Sequence, residues 1–174
     1  MTNTKITIPV KLDAKTFKRF GWFDMFVLRR RWVRPLVFAL ILIAFAIVAL
    51  VSGRAQAGLI AAVLMAVELG LPLVWFGSFL SQVNLQAEKL KLSTPRLVYT
   101  LTLDYDGVRV VNNMRKVDAQ AVKWADVQAA FRRKDCIYLY VSPVRAYLLP
   151  NGQADVSDDA LWTYFKEHLG DRCK

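Results

Sequence analysis

The sequence has little of the material from which most enzyme sites are built. Its 174 residues include two cysteines, Cys136 and Cys173, and one histidine, His168. The cysteines form no CxxC motif, so no disulfide framework is predicted and a reducing, cytoplasmic setting fits. A zinc site or a histidine-based triad would have almost nothing to draw on. The sequence also lacks a paired nucleophile and base, a glycine-rich phosphate loop and suitably spaced carboxylates. We therefore expect no enzyme, with no catalytic residue, cofactor or metal.

Charge is missing from only one part of the chain. Residues 1–34 carry nine Lys or Arg against two Asp, and residues 35–80 carry only Arg54 and Glu68. Residues 81–174 carry fourteen basic against eleven acidic residues. Most of the net charge of +10 therefore lies in residues 1–34, before the segment 35–80, whose two charges cancel. This pattern is typical of the flank of a membrane span, whereas nucleic-acid binding needs a basic stripe on a folded face. We expect no nucleic-acid partner.

Two apolar runs predict a transmembrane hairpin. The first spans about residues 33–51, without a charged or hydrogen-bonding side chain from Pro35 to Val51, and the second spans 57–80. At ~1.5 Å per residue, both approach or exceed the ~30 Å hydrocarbon core of a bilayer. The short link permits only a tight turn, so the spans should be antiparallel neighbours. A cleavable signal peptide fits poorly, because a long charged segment precedes the first run and a second run follows it.

Basic residues flank the outer ends of this hairpin. Four arginines flank the start of the first span and further basic residues follow the second, whereas the link offers only Arg54. The positive-inside rule therefore predicts a multi-pass protein with both termini in the cytoplasm. Setting the topology is the simplest role of the four arginines, and a lipid headgroup site is the alternative. They are Arg29, Arg30, Arg31 and Arg34.

A polar break interrupts the second apolar run, in the stretch "MAVELGLPL". Glu68 lies near the bilayer midplane, where an acidic residue costs on the order of 3 kcal/mol or less if protonated, and more if charged and alone. Pro72 removes the helical hydrogen bond to the Glu68 carbonyl and favours a kink, and Gly70 allows close approach of another backbone. The first span has no polar side chain, so a partner for Glu68 should come from a second chain or from elsewhere in this one. Three interpretations stay open: a protonated glutamate bonded at a kink, an oligomer contact, and a proton or ion path.

The other segments predict a small antiparallel domain split by the hairpin. Residues 4–12 alternate as a half-buried edge strand, and Asp13 should cap a juxtamembrane helix over 14–31. The second span should continue as a helix that stops before Pro95. Six short strands follow, and then a C-terminal helix capped by Ser157.

Two features of these strands are specific enough to test. Alternation in "LVYTLTLD" places four side chains on one face, namely Leu97, Tyr99, Leu101 and Leu103. A basic turn is a candidate for an interaction loop, although such clusters are usually only solvated; it consists of Arg132, Arg133 and Lys134.

The order of several motifs resembles the YcxB-like family of bacterial membrane proteins. Two spans are followed by "YTLTLDYDGVRVVN", "VKWADV", "CIYLYV", "AYLLP" and an amphipathic helix, and the resemblance is clearest over residues 97–169. It implies a pleckstrin-homology-like barrel and a place in the bacterial cytoplasmic (inner) membrane, but no activity. The family often has a basic residue after the proline of "AYLLP"; Asn151 and Gly152 stand there in this chain.

The sequence as a whole predicts an α+β membrane protein with four parts. These are an N-terminal strand and basic aromatic helix (1–34), the hairpin (35–80), a connecting helix (81–96) and a cytoplasmic β-domain (97–174). We expect a non-enzymatic protein that presents an interaction or regulatory domain at the bilayer surface. Its expected partners are the lipid bilayer, anionic headgroups, and a protein or further copies of itself. The alternative is an oligomeric membrane protein with a transport or assembly role centred on Glu68.

Overall fold

The structure is a computed structural model that describes residues 5–53, 55–113 and 119–174. Arg54 and most of the turn predicted from "NMRK" lie outside the described residues. The strands are β1 (Ile6–Leu12), β2 (Arg96–Asp104), β3 (Gly107–Asn112), β4 (Gln120–Lys123), β5 (Ala129–Arg132), β6 (Cys136–Ser142) and β7 (Arg145–Pro150). The α-helices are α1 (Ala14–Trp22), α2 (Val33–Val51), α3 (Ala57–Lys89) and α4 (Asp158–Leu169).

The fold is α+β, with two antiparallel sheets and two long apolar helices. One sheet has four strands in the order β1-β2-β3-β4, and the other has three in the order β5-β6-β7. The six strands and the C-terminal helix predicted after the hairpin are present, and the N-terminal strand joins them as β1. Within the described residues, no ladder joins the two sheets into a closed barrel.

The chain divides into two compact units. The β-unit contains the residues up to Phe20 together with Lys91–Lys174, and the hairpin unit is Gly21–Leu90. The β-unit is therefore built from both sides of the hairpin in the sequence, because β1 pairs along its length with β2.

Strand β1 lies at the edge of its sheet, as Pro9 predicts, because proline has no amide hydrogen to donate to a ladder. Its predicted inner side chains are all buried; they are Ile6, Ile8, Val10 and Leu12. At the outer edge, the Lys11 amide donates to Oε1 of Gln153 (2.7 Å), and Nε2 of Gln153 donates to the Lys11 carbonyl (2.9 Å). This side-chain amide satisfies backbone groups that an unpaired edge would expose.

The predicted inner face of β2 is wrong at its first position. Tyr99, Leu101 and Leu103 are buried, but Leu97 is 37% exposed and Val98 is buried instead. The reason is an irregularity in the pairing with β1, where Val10 opposes Tyr99 and the next residue, Lys11, opposes Leu97. An extra residue on one strand reverses the alternation beyond it.

The core of the β-unit lies between the sheets and α4. Phe165 of α4 is fully buried, and Trp124 packs edge-to-face on it with ring centroids 6.0 Å apart. Nε1 of Trp124 donates to the Asp104 carbonyl (2.9 Å), so the apolar ring of this indole is buried while its N–H group has a hydrogen-bond partner. Ser157 caps α4 as predicted, because its side chain accepts a hydrogen bond from the Ala160 amide.

Helices α2 and α3 are long and apolar enough to cross a membrane. They have 19 and 33 residues, and α3 continues through Pro72. They pack on each other, but most of their apolar side chains face outward; Val51 is 81% exposed and Leu59 is 70% exposed. The core helix of a soluble protein would cover such side chains. The predicted connecting helix ends earlier than residue 96, since α3 stops at Lys89 and Lys91 takes the left-handed conformation (φ +51°).

Candidate functional site

A structured turn joins the helix that begins with α1 to the first apolar helix, α2. Helix α1 continues as a π-helix over Phe23–Leu28, so the helix predicted to reach residue 31 ends before Arg29. Wider π-helical turns are uncommon and occur often at functional sites. They also change which side chains share a face, because the hydrogen bonds skip five residues instead of four.

Four hydrogen bonds hold the backbone of this turn. The Arg29 amide donates to the Asp24 carbonyl (2.9 Å), and the Arg31 amide donates to the Met25 carbonyl (3.0 Å). The turn continues into α2 with the Val33 amide bonded to the Arg30 carbonyl, and Nε1 of Trp32 donates to the Phe26 carbonyl (3.1 Å). Arg30 itself has φ +46°. A left-handed arginine is unfavourable by about 1 kcal/mol, so this conformation persists because the neighbouring bonds fix it.

Aromatic side chains pack the segment before α2, residues 21–32 (the entry segment), against α3. Trp22 stacks on Phe26, with centroids 4.8 Å apart and planes 17° apart. Trp22 also meets Phe76 and Phe79 edge-on, at 5.6 and 6.1 Å. Gly21 lies in the same packed region, because a Cβ there would be 3.4 Å from Val83, an ordinary contact distance. The glycine that interrupts the aromatic pattern in the sequence is therefore a packing position.

The four predicted headgroup arginines gather around one cavity. This basic cavity has a volume of about 550 Å³ and is lined by Arg29, Arg30, Arg31, Arg34, Pro35 and Trp75. Arg29 pairs with Asp24, with 2.8 Å between Nε and Oδ2. Among the described residues, Arg30, Arg31 and Arg34 form no ion pair. The cavity therefore collects more positive charge than its neighbours balance.

An apolar groove of about 500 Å³ adjoins the basic cavity. The two share Pro35 and Trp75 as lining residues. The remaining walls come from the entry segment, α2 and α3; they are Trp22, Phe26, Trp32, Leu36, Ala39, Pro72, Leu73 and Phe76.

A third cavity, of about 310 Å³, contains the predicted intramembrane contact. Glu68 and Pro72 line it from α3, and Arg34 and Phe38 line it from the first helix. From the uncharged stretch 35–51 only apolar side chains line this cavity, and the polar residue that shares it with Glu68 is Arg34. Arg34, placed by the sequence only at the flank, faces the same cavity because antiparallel packing puts the start of α2 beside the second half of α3. Among the described residues, Glu68 forms no ion pair.

Gly70 does not serve the packing of this chain on itself. A Cβ at Gly70 would meet nothing within 4 Å. The predicted close backbone approach is therefore absent between α2 and α3, and any such approach would involve another molecule.

The predicted interaction loop, residues 132–134, makes contacts that stabilise the fold. Nη2 of Arg132 pairs with Oδ1 of Asp159 on α4 (2.6 Å), and the Arg133 amide donates to the Cys136 carbonyl (3.0 Å). Lys134 has an exposed side chain, and its carbonyl accepts a hydrogen bond from Asn151. The turn is thus shaped by structural contacts, and it belongs to the β-unit, not to the unit that holds the arginine cavity.

Cys136 and Asp13 are among the titratable groups of the β-unit whose pKa values are shifted by structural contacts. Burial raises the pKa of the Cys136 thiol to about 12. Hydrogen bonds from Thr16 hold the pKa of the Asp13 carboxyl below its ordinary value. Within the described residues, no three His, Cys, Asp or Glu side chains are grouped so that they could hold a metal ion.

Trp75 is the site residue that the sequence reading missed. It lines all three cavities, together with Pro35. The signal was available, because positions equally distant from a tight turn are neighbours in an antiparallel helix pair. Counted from the ends at Val51 and Ala57, Arg34 falls beside Trp75 and its predecessor.

No family model matches this chain, and neither the curated proteins nor the solved structures contain a match to it. Its function must therefore be inferred from its own geometry.

Proposed function

We propose that this chain is a non-enzymatic integral membrane protein of the bacterial cytoplasmic membrane, which presents its β-unit at the bilayer surface as an interaction or regulatory domain. The outward apolar faces of α2 and α3 support the membrane part of this proposal. A lipid bilayer would remove these exposed apolar side chains from water.

The pairing of β1 with β2 is the observation that carries the proposal. β1 precedes both apolar helices and β2 follows them, yet they are adjacent strands of one sheet. If α2 and α3 span a bilayer, both strands must be on the same side, which requires an even number of crossings. The basic residues before α2 favour the cytoplasm as that side.

We further propose that the β-unit is a pleckstrin-homology-like domain of the YcxB-like kind. Its support is the arrangement of consecutive strands in antiparallel sheets of four and three, followed by a helix that packs on the core. β1 also lies beside β7, which brings the outer strands of the two sheets together. The polar side-chain contacts described above in the β-unit stabilise its fold. The proposed role of this domain is therefore to bind a protein or lipid headgroups through its surface.

Site-specific cross-linking in native membranes tests this function. A photoreactive residue is placed in separate full-length chains at Lys134 or Val144, both exposed in the β-unit, or at Leu59 on α3 as the control. We expect a protein or a lipid with one particular headgroup to be captured from the β-unit positions, whereas Leu59 should capture only the general lipid of the bilayer. Release of the chain by alkaline carbonate washing would contradict the membrane placement itself.

A second candidate function is assembly or transport through Glu68. The observation that favours it is the open surface at Gly70 beside a cavity that contains both Glu68 and Arg34. In this case cross-links should join only copies of this chain and should disappear with Glu68→Leu. Glu68→Gln should leave a β-unit adaptor intact and should impair an assembly that depends on the carboxylate.

A further inference from the structure

We propose that the hairpin unit binds one anionic phospholipid. Its phosphate is held by Arg30, Arg31 and Arg34 beside Trp75, and one of its acyl chains lies in the apolar groove between Trp22 and Leu36. This inference rests on the proposed membrane placement. It goes beyond a general attraction of basic residues to the membrane, because it assigns a bounded site with a polar and an apolar end.

The charge of the basic cavity identifies the polar end of the ligand. Four arginines line the cavity of about 550 Å³, and Asp24 outside the lining pairs with one of them, Arg29. Like charges brought this close repel one another unless an anion lies between them. Planar guanidinium forks match the oxygen atoms of a phosphate, and they do so better than lysine would.

The continuity of two cavities identifies an amphiphile. The basic cavity and the apolar groove meet at Pro35 and Trp75, so a molecule with a phosphate in one can place a hydrocarbon chain in the other. A soluble anion would use only the basic cavity, and a lipid without a phosphate would use only the groove. A zwitterionic phospholipid would bring its own cationic group into the basic cavity and would balance less of its positive charge. A membrane phospholipid with a negative headgroup uses both.

The depth of the site agrees with that of a headgroup. Trp75 lies eighteen residues after Ala57, the first residue of α3, which corresponds to ~27 Å along the helix. This is close to the ~30 Å thickness of a hydrocarbon core. Tryptophan side chains favour this boundary between chains and headgroups.

The turn that carries the arginines is organised before any ligand arrives. Arg29 and Arg31 donate their amides to the preceding π-helix, and the Trp32 indole donates to Phe26. The left-handed conformation of Arg30 is held by this network. A fixed turn loses little conformational freedom on binding, which favours affinity for a specific lipid over diffuse attraction.

Quenching of tryptophan fluorescence by brominated lipids provides the test. The full-length chain is reconstituted in phosphatidylcholine vesicles that contain a minor fraction of chain-brominated phosphatidylglycerol or, in parallel, chain-brominated phosphatidylcholine. Trp22, Trp32 and Trp75 line the groove, so a bound brominated chain should quench them. We expect stronger quenching by the anionic lipid at equal mole fraction.

Charge-matched variants make the test specific. The triple variant R30Q/R31Q/R34Q should lose the preference for the anionic lipid by ~100-fold, because each basic residue near an anionic surface contributes about fivefold in affinity. The control R96Q/R109Q/R145Q removes the same charge from exposed positions of the β-unit and should keep the preference. The variant R30K/R31K/R34K keeps the charge and should retain part of the preference.

The possible results separate this inference from the function on which it rests. Equal quenching by both lipids in an inserted protein would overturn the lipid site and leave the membrane placement standing. Equal losses in both triple variants would also overturn it, since general electrostatics would then suffice. Protection of the cavity arginines by inorganic phosphate, without any preferential quenching by the anionic lipid, would overturn the lipid site and reassign the cavity to a soluble anion. Failure of the chain to enter vesicles would instead overturn the proposed function.

Discussion

Tyr99 is the residue that joins the two sheets of the β-unit most directly. Its hydroxyl donates to the Leu148 carbonyl (2.9 Å) and accepts from the Leu148 amide (2.7 Å). Burial raises the pKa of this phenol far above its ordinary value, so it stays neutral and can make both bonds. One side chain of β2 thereby satisfies both backbone polar groups of a residue in β7.

Tyr99→Phe should therefore lower the free energy of unfolding of the β-unit by about 1–3 kcal/mol, because it leaves two buried backbone groups without a partner. Chemical denaturation of the full-length protein in detergent, followed by near-ultraviolet circular dichroism, measures the change. Tyr105→Phe is the matched control, since Tyr105 is 68% exposed. Equal effects of the two substitutions would show that the hydroxyl bridge contributes nothing.

The two cysteines should differ strongly in reactivity. Cys136 is fully buried with a pKa near 12, whereas Cys173 is partly exposed. At a pH of about 8, a thiol reagent should modify Cys173 and reach Cys136 only after unfolding, because the thiolate is the reacting form. Mass spectrometry of the labelled chain distinguishes the two sites, and equal rates at both would contradict the buried position of Cys136.

The same burial predicts a loss of stability in alkali. The folded pKa of Cys136 lies above the ordinary value of 9.0. The unfolded thiol therefore releases its proton first, and the stabilisation falls as the pH rises from about 9 toward 12. Denaturation midpoints across this range should decline less in Cys136→Ala than in the native chain.

At the scale of elements, helix α1 depends on the residue before it. Oδ1 of Asp13 accepts from the Thr16 amide (2.8 Å), and the Asp13 carbonyl accepts from Phe17 (3.1 Å). Phe20, later on this helix, packs edge-on against Tyr138 with centroids 5.3 Å apart. The cap therefore stabilises a helix that also covers part of the β-unit.

Asp13→Ala should destabilise the β-unit by about 1 kcal/mol, the usual value of such a cap. The lowered pKa of Asp13 means that this contribution is present above its ordinary value of 3.8 and is lost as the pH falls through the lower folded value. Thermal unfolding at neutral and acidic pH measures both effects. Asp155→Ala removes the same charge at an exposed position and should change little.

At the scale of the whole molecule, we expect the β-unit to unfold without removing the hairpin unit from the membrane. Ile8 of β1 is 1% exposed, and an aspartate there would bury a charge in the apolar core at a cost of several kcal/mol. Ile8→Asp should therefore make the β-unit sensitive to protease while the chain stays in the membrane fraction. Lys11→Asp, at an exposed position of the same strand, should remain resistant. Release of the Ile8→Asp chain from membranes would contradict this independence.

Much of the secondary structure follows from patterns within short segments. Alternation predicted the buried face of β1, and a lone Asp and a lone Ser predicted the caps of α1 and α4. The two apolar runs predicted α2 and α3, because a helix of that length and hydropathy needs no distant contact to be recognised. The candidate arginines were also found in this way, since charge next to an apolar run is visible in one dimension.

The tertiary structure decided everything that depends on distant partners. Leu97 faces outward because the pairing with β1 shifts at Val98, and Arg132 is drawn to Asp159 by the packing of α4. Trp75 joins three cavities, and Arg34 reaches the cavity of Glu68, because two helices pack side by side. Periodicity and hydropathy are properties of neighbouring residues, and they determine the elements of this protein. Register and packing depend on residues far apart in the chain, and they determine where its charged and aromatic side chains meet.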